Sequence, residues 1–265
     1  MSPGADSAGQ PFAGRSFHAN PFAGDDGLAD PGLRVALERF HALLALDAEL
    51  RSHSDVGAAW GAVIEALSGA RVLSPLIAEA GDYGRTDEGL VVEKTQELSI
   101  VHLEGPDGRA VAPVFTDVSS MSAWRAEARP IPVDARKAAV AALADGLSLM
   151  VLDPGSPGSV TLRRGALLAL ATGEPYQPAW RDPLVARAIE EGIAAFEGVV
   201  VKHRVLPGDP GQALVGPELV VAIGLKPGLT ATELDEVITR ISLAWSSNEV
   251  LSRMVDGLGM RVVPV

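Results

Sequence analysis

Six side chains able to move a proton or attack a carbon or phosphorus centre fall close together in this chain. The stretch PVFTDVSSMSAW, residues 113–124, carries Thr116, Asp117, Ser119, Ser120 and Ser122, and His102 stands on the apolar segment before it. A hydroxyl becomes a nucleophile when a base takes its proton. That base is usually a histidine oriented by a carboxylate, with amides placed to hold the oxyanion. His102 is thus the candidate base, with Thr116, Asp117 and Ser119 around it, in a hydrolase or transferase. The same residue types also satisfy the free amides at a helix start. Ser119 or Ser120 is well placed to cap a helix whose Met121 and Trp124 share a face. No Gly-x-Ser-x-Gly elbow occurs in the sequence, so capping is the stronger reading.

Other chemistries find less support. The chain has no cysteine, which excludes disulfides, thiolate catalysis and cysteine-ligated metal, and fits a reducing cytoplasm. Its histidines, at 18, 41, 53, 102 and 203, are scattered with no close pair, so neither a metal site nor a cofactor is expected. There is no Gly-Lys dipeptide, hence no Walker A loop, and GLGM at 257–260 leads into a strand, the wrong context for a dinucleotide fingerprint. Lys94 is explained by a salt bridge with Glu93 or Glu97. The net charge of −12 repels phosphate backbones and anionic membranes, so neither nucleic acid nor membrane is an expected partner. The N-terminus shows no signal peptide.

The elements that must position these groups follow from periodicity and caps. Residues 1–30 are rich in Gly, Ala, Pro, Ser and Asp and read as a disordered tail. PFAG occurs in it twice, with Phe12 and Phe22 as the apolar anchors. Asp30 and Pro31 open a helix whose Leu33, Leu37, Phe40 and Leu44 form one face. A second helix, capped by Ser54 or Asp55, carries Val56, Trp60, Ile64 and Leu67. ARVLSPLIAEA reads as an edge or bent strand because of Pro75. ELSIVHLEGPDGRAVAPVFTD reads as a hairpin turning at Gly105-Pro106-Asp107-Gly108. A helix at 119–127, the strand RPIPV, a helix capped by Asp134, a buried strand breaking at Asp153-Pro154, and a short strand with a closing helix complete a unit at 31–171. TGEPYQPAWRDP is a bend. A smaller unit at 183–265 reads helix 183–195, strand GVVVKHRVLPGD, strand ALVGPELVVAIGLK, helix 230–247 with Thr230 and Glu233 as a capping box, helix 249–257, and strand GMRVVPV. The fold class is α+β: two small units, each a mixed sheet packed with helices.

PVFTDVSSMSAW followed by PIPVDARKAAVAALADGLSLMVLDPGSPGSVTLRRGALLAL resembles the SseB N-terminal domain over roughly residues 20–171. That family shows a strand ending in Phe-Thr, a helix bearing Trp, then a helix and an apolar strand running into Asn-Pro or Asp-Pro. The opening NPFAGDDGLADPGLRVAL is similar to actinobacterial members, and the unit at 183–265 resembles the C-terminal domain that accompanies it. The family offers no established catalytic residues to carry over. The resemblance implies a cytoplasmic, non-catalytic protein acting through protein–protein contacts. Phe22, Phe115, Thr116, Asp117, Trp124, Asp153 and Pro154 are the candidate contact residues, because loops at strand ends commonly bind. The partner is an unknown protein, and the second unit is a candidate homodimer interface.

Overall fold

The computed structural model of the chain describes residues 22–47, 50, 52–79, 83–85, 91–93 and 97–265. Phe12, the first PFAG copy and Lys94 lie outside them. Within the segment read as tail, residues 22–30 carry defined contacts. Asp25 pairs with Arg71 at 2.5 Å, and the Gly27 carbonyl accepts the Val118 amide at 3.0 Å.

α1 (Pro31–Leu44) starts as expected: Asp30 accepts the Leu33 amide, and Leu33 and Phe40 are buried. α2 (His53–Ser68) begins earlier than its sequence signals suggested. Its cap is Ser52, whose hydroxyl accepts the Asp55 amide, and not Ser54 or Asp55. The two helices form a hairpin, with the Phe40 and Trp60 rings 5.2 Å apart.

β1 (Arg71–Glu79) is a continuous central strand between β4 (Glu97–Ile100) and β7 (Arg129–Asp134), not an edge. Pro75 is tolerated there for a geometric reason. Alternate strand residues aim their amides at the same neighbour, and Leu73 donates to Phe115 on the side away from β7. The missing Pro75 donor faces that side too, in the gap before pairing with β4 begins at Leu76. β7, with Pro130 and Pro132, lies at the sheet edge, where proline costs no ladder bond. β2 (Tyr83–Arg85) and β3 (Val91–Glu93) pair with each other.

β5 (Leu103–Glu104) and β6 (Ala110–Val114) form the expected hairpin. The run from Glu97 to Glu104 nevertheless divides between two sheets, since its first half pairs with β1 and its second with β6. The second sheet has the order β5-β6-β8-β9, with β8 at Met150–Leu152 and β9 at Val160–Leu162, and β6 and β8 run parallel. Between them the chain passes through α3 (Val118–Trp124), β7 and α4 (Ala135–Ala144). α5 (Arg164–Thr172) ends at Gly173, whose φ of 74° is the left-handed cap that favours glycine.

After a 3₁₀ turn at Ala179–Arg181 comes α6 (Pro183–Ile193), capped by Asp182. β10 (Val200–Pro207), β11 (Leu219–Leu225), α7 (Ala231–Ser246), α8 (Glu249–Met254) and β12 (Leu258–Val263) follow. The Thr230–Glu233 capping box is present. β11 begins only at Leu219. The stretch from Gly208 to Glu218, part of which read as strand, is a loop because Pro210, Gly211, Gly216 and Pro217 interrupt any ladder. The chain is thus a mixed helix-and-strand fold. One apolar core runs through both sequence units, joining Phe40, Trp60 and Leu152 to Ile189, Val221, Ile241 and Trp245. Among the described residues no helix is long and apolar enough to cross a membrane.

Candidate functional site

At the end of β6 the chain passes into α3, and the polar groups there answer to one another. Asp117, not Ser119 or Ser120, is the helix cap: its Oδ1 accepts the Ser120 amide at 2.7 Å and the Ser119 hydroxyl at 2.6 Å. Partial burial pushes the Asp117 carboxyl up, but the bonds from Ser119 and Ser120 outweigh it and hold the group below the usual carboxylate range. Asp153 accepts the Thr116 amide at 2.8 Å and the Thr116 hydroxyl at 2.8 Å, one on each oxygen. Burial raises its pKa, more than the Thr116 bonds lower it. His102 is exposed, and among the described residues no hydrogen bond joins it to Ser119, Ser120 or Asp117. The Ser119 hydroxyl donates its hydrogen bond to a carboxylate that is itself occupied as a cap, so the arrangement supplies a helix start.

The structure brings the predicted contact residues into one neighbourhood, in roles that differ. Phe115 is fully buried with Leu73, Ile77, Met121 and Ala128, and its ring lies 5.2 Å from half-buried Trp124. It is a core residue, not a contact residue. Thr116 and Asp153 are buried against each other, and Pro154 is buried beside them. The turn of Phe22 joins the cluster through Asp25, because Arg71 binds both Asp25 and the Thr116 carbonyl, the latter at 2.8 Å.

Next to this junction opens a cleft of about 400 Å³ between the β5–β6 hairpin, the turn at 154–159 and the loop at 213–214. Leu103, Pro106, Val151, Pro154, Pro157 and Leu214 give it an apolar lining, with Glu104, Ser156, Ser159 and Thr161 as polar points. Among the described residues, Asp153, Gln212 and Leu214 are the non-glycine residues with positive φ, at 51°, 55° and 57°, and all three lie in or beside its walls. Such conformations are strained for side chains with a Cβ and persist where surrounding contacts over-determine them. Those contacts are visible. The Leu214 side chain is buried with Val111 and Leu149, and its amide donates to Asp209 Oδ2 at 2.8 Å. The Gln212 carbonyl accepts the Thr161 amide at 2.8 Å, and its Nε2 donates to the Asp209 carbonyl at 3.0 Å. The shape of the wall is therefore stapled by contacts within the chain itself.

Behind that wall lies a buried charged seam that sequence reasoning missed. Arg163 Nη2 binds Asp209 at 2.5 Å and the Gly216 carbonyl at 2.8 Å, and its Nη1 reaches Asp256 at 3.1 Å. Arg109 grips Asp256 with two bonds, at 2.9 and 2.8 Å. Glu218 Oε2 accepts the Asp256 amide at 2.7 Å. Burial pushes the Glu218 carboxyl up to about 7, and the Asp256 charge adds to that. The Asp256 carboxyl is pushed up by burial, but Arg109 and Arg163 outweigh this and hold it low. The available signal was Arg163 standing between Leu162 and the apolar run of α5, an uncommon place for a charge unless it is paired. Among the described residues, no group of three or more carboxylates, histidines or cysteines is arranged to hold a metal ion.

A family model, the SseB protein N-terminal domain, matches residues 46–169. Comparison with curated proteins and comparison with solved structures each gave no match.

Proposed function

We propose that this chain, which belongs to the SseB family by its domain at residues 46–169, is a non-catalytic cytoplasmic binding protein. It acts through protein–protein contacts, and its contact surface is the cleft beside the α3 junction. The observation that carries this reading is the stapled wall: Leu214 is held at a φ of 57° by its burial with Val111 and Leu149 and by its bond to Asp209. Strain of this kind is retained where a shape is needed. A cleft of about 400 Å³ lies in the range that encloses a small ligand or a few apolar side chains of a partner. The junction hydroxyls support the same reading, because Ser119 and Thr116 are engaged by Asp117 and Asp153.

The test is affinity capture from the source cells with the full chain and with Ala213→Arg, which sets a long cation at the exposed cleft rim. Proteins recovered by the unmodified chain are lost with the variant. Recovery of the same set by both would sink the proposal. A panel of esters, phosphoesters and amides should show no turnover; turnover abolished by His102→Ala would restore the hydrolase reading.

A further inference from the structure

The sheet β10–β11–β12 has two faces, and one of them joins the apolar core. Leu219, Val221, Ile223 and Leu225 of β11 point into the core. The alternating residues Val220, Ala222 and Gly224 therefore point the other way. Strand pairing sets Arg204 and Arg261 on either side of Ala222 and Lys202 beside Gly224, all on that second face. A register shift between Val200 and Lys202 changes the parity of β10 and puts Lys202 there. Gly224 leaves room for it: a Cβ at that position would come within 2.7 Å of the Lys202 side chain. Arg204, Arg261 and Lys202 are exposed, and among the described residues none of them takes part in an ion pair. The residues of the three strands that share this face include no carboxylate.

We infer that this face binds an acidic segment of a partner protein. Strands about 4.8 Å apart put the two arginines roughly 10 Å from each other on either side of Ala222, which is 7% exposed, while the Lys202 side chain lies over Gly224. An extended chain lying over this face meets cations from both β10 and β12, and arginine forks match carboxylates. Against the net charge of −12 these cations form a small patch, bordered at Lys202 by Glu190, Glu191 and Glu197, which line one hollow with it. A long phosphate backbone would run off it into repulsion, whereas a short acidic segment fits within it. The residues preceding Phe22 contain one acid, Asp6, against Arg15, so they do not supply an acidic segment for this face. This surface is separate from the cleft, and neither proposal requires the other.

The test uses a fluorescein-labelled peptide of about ten residues alternating Glu and Val, read by anisotropy against the full chain at about 50 mM salt. A Gln–Val peptide, a single-stranded RNA of similar length and vesicles containing phosphatidylserine serve as comparisons. The acidic peptide binds, and the Gln–Val peptide binds roughly tenfold more weakly. Arg204→Gln with Arg261→Gln weakens acidic binding by about tenfold, and Lys202→Gln by less, with thermal midpoints unchanged. Equal binding of the two peptides, an unchanged double variant, or tighter binding of the RNA or the vesicles would each overturn the inference.

Discussion

The α3 junction and the charged seam are both polar, both partly buried, and built quite differently. At the junction, Asp117 meets Ser119 and Ser120 two and three positions away. In the seam, Arg163 meets Asp209 across 46 positions, and Arg109 meets Asp256 across 147. The cap at the junction is a local device that fixes one short helix, although Thr116 beside it is tied to Asp153 across 37 positions. The seam crosses from the matched domain to the β10–β12 unit, and it holds the loop that forms the cleft wall. The difference teaches that a conspicuous cluster of reactive side chains can be local scaffolding, while the charges that tie the molecule together lie far apart in sequence.

The largest effect that sharpens this contrast is expected for Arg163→Met. It leaves Asp209 and Asp256 buried with less positive charge, and should cost about 3–5 kcal/mol of unfolding free energy in urea titrations. A cost near that of a surface substitution would break the comparison.

Glu218→Gln comes next, through pH. The folded carboxyl sits near 7 and the unfolded one near its ordinary 4.5, so between those values the folded chain holds the extra proton. Stability from this group is fullest below about 4.5 and falls as pH rises through about 7, by roughly 3 kcal/mol in all. The variant should flatten that slope in unfolding curves recorded between about pH 5 and 8. At Asp256, another carboxylate of the seam, the sign is opposite: it is held low, so its contribution is present above its ordinary range and lost on strong acidification.

Asp153→Ala removes both Thr116 bonds and sets a Cβ residue without a polar side chain at a φ of 51°. The expected loss is about 2–3 kcal/mol, and Asp153→Asn, which tolerates the left-handed region, loses about 1. Differential scanning calorimetry separates the two. Ser119→Ala, which takes away one exposed bond to Asp117, should cost less than about 0.5 kcal/mol. A large loss there would give the junction hydroxyls a weight the geometry denies them.

Much of the fold was legible where the cause is local. Asp30, Asp134, Asp182 and the Thr230–Glu233 pair cap the helices expected of them, because capping couples residues two or three apart. The Leu33–Phe40 and Val56–Leu67 faces are likewise buried as their spacing requires. What depends on distant partners was not legible. Pro75 reads as an edge signal, yet strand order decides which side its missing donor faces. A short apolar run misleads in the same way: Ala213 to Val215 looks like strand, but Asp209 captures the Leu214 amide and bends the chain into a loop. That Phe115 and Asp153 fall close together follows from chain order, which puts them at adjacent parallel strand ends, but burial of Phe115 depends on how Leu73 and Met121 close over it.

The seam also sets an order of events during synthesis. Arg163 leaves the ribosome 93 residues before Asp256, and Asp209 is made between them. A nascent chain that has released the whole matched domain still carries a guanidinium whose second acid has not been translated. Closing this molecule is therefore a late step, taken after the last helix has emerged, and a stalled or shortened chain would present its unfinished interior to the quality-control machinery of the cell.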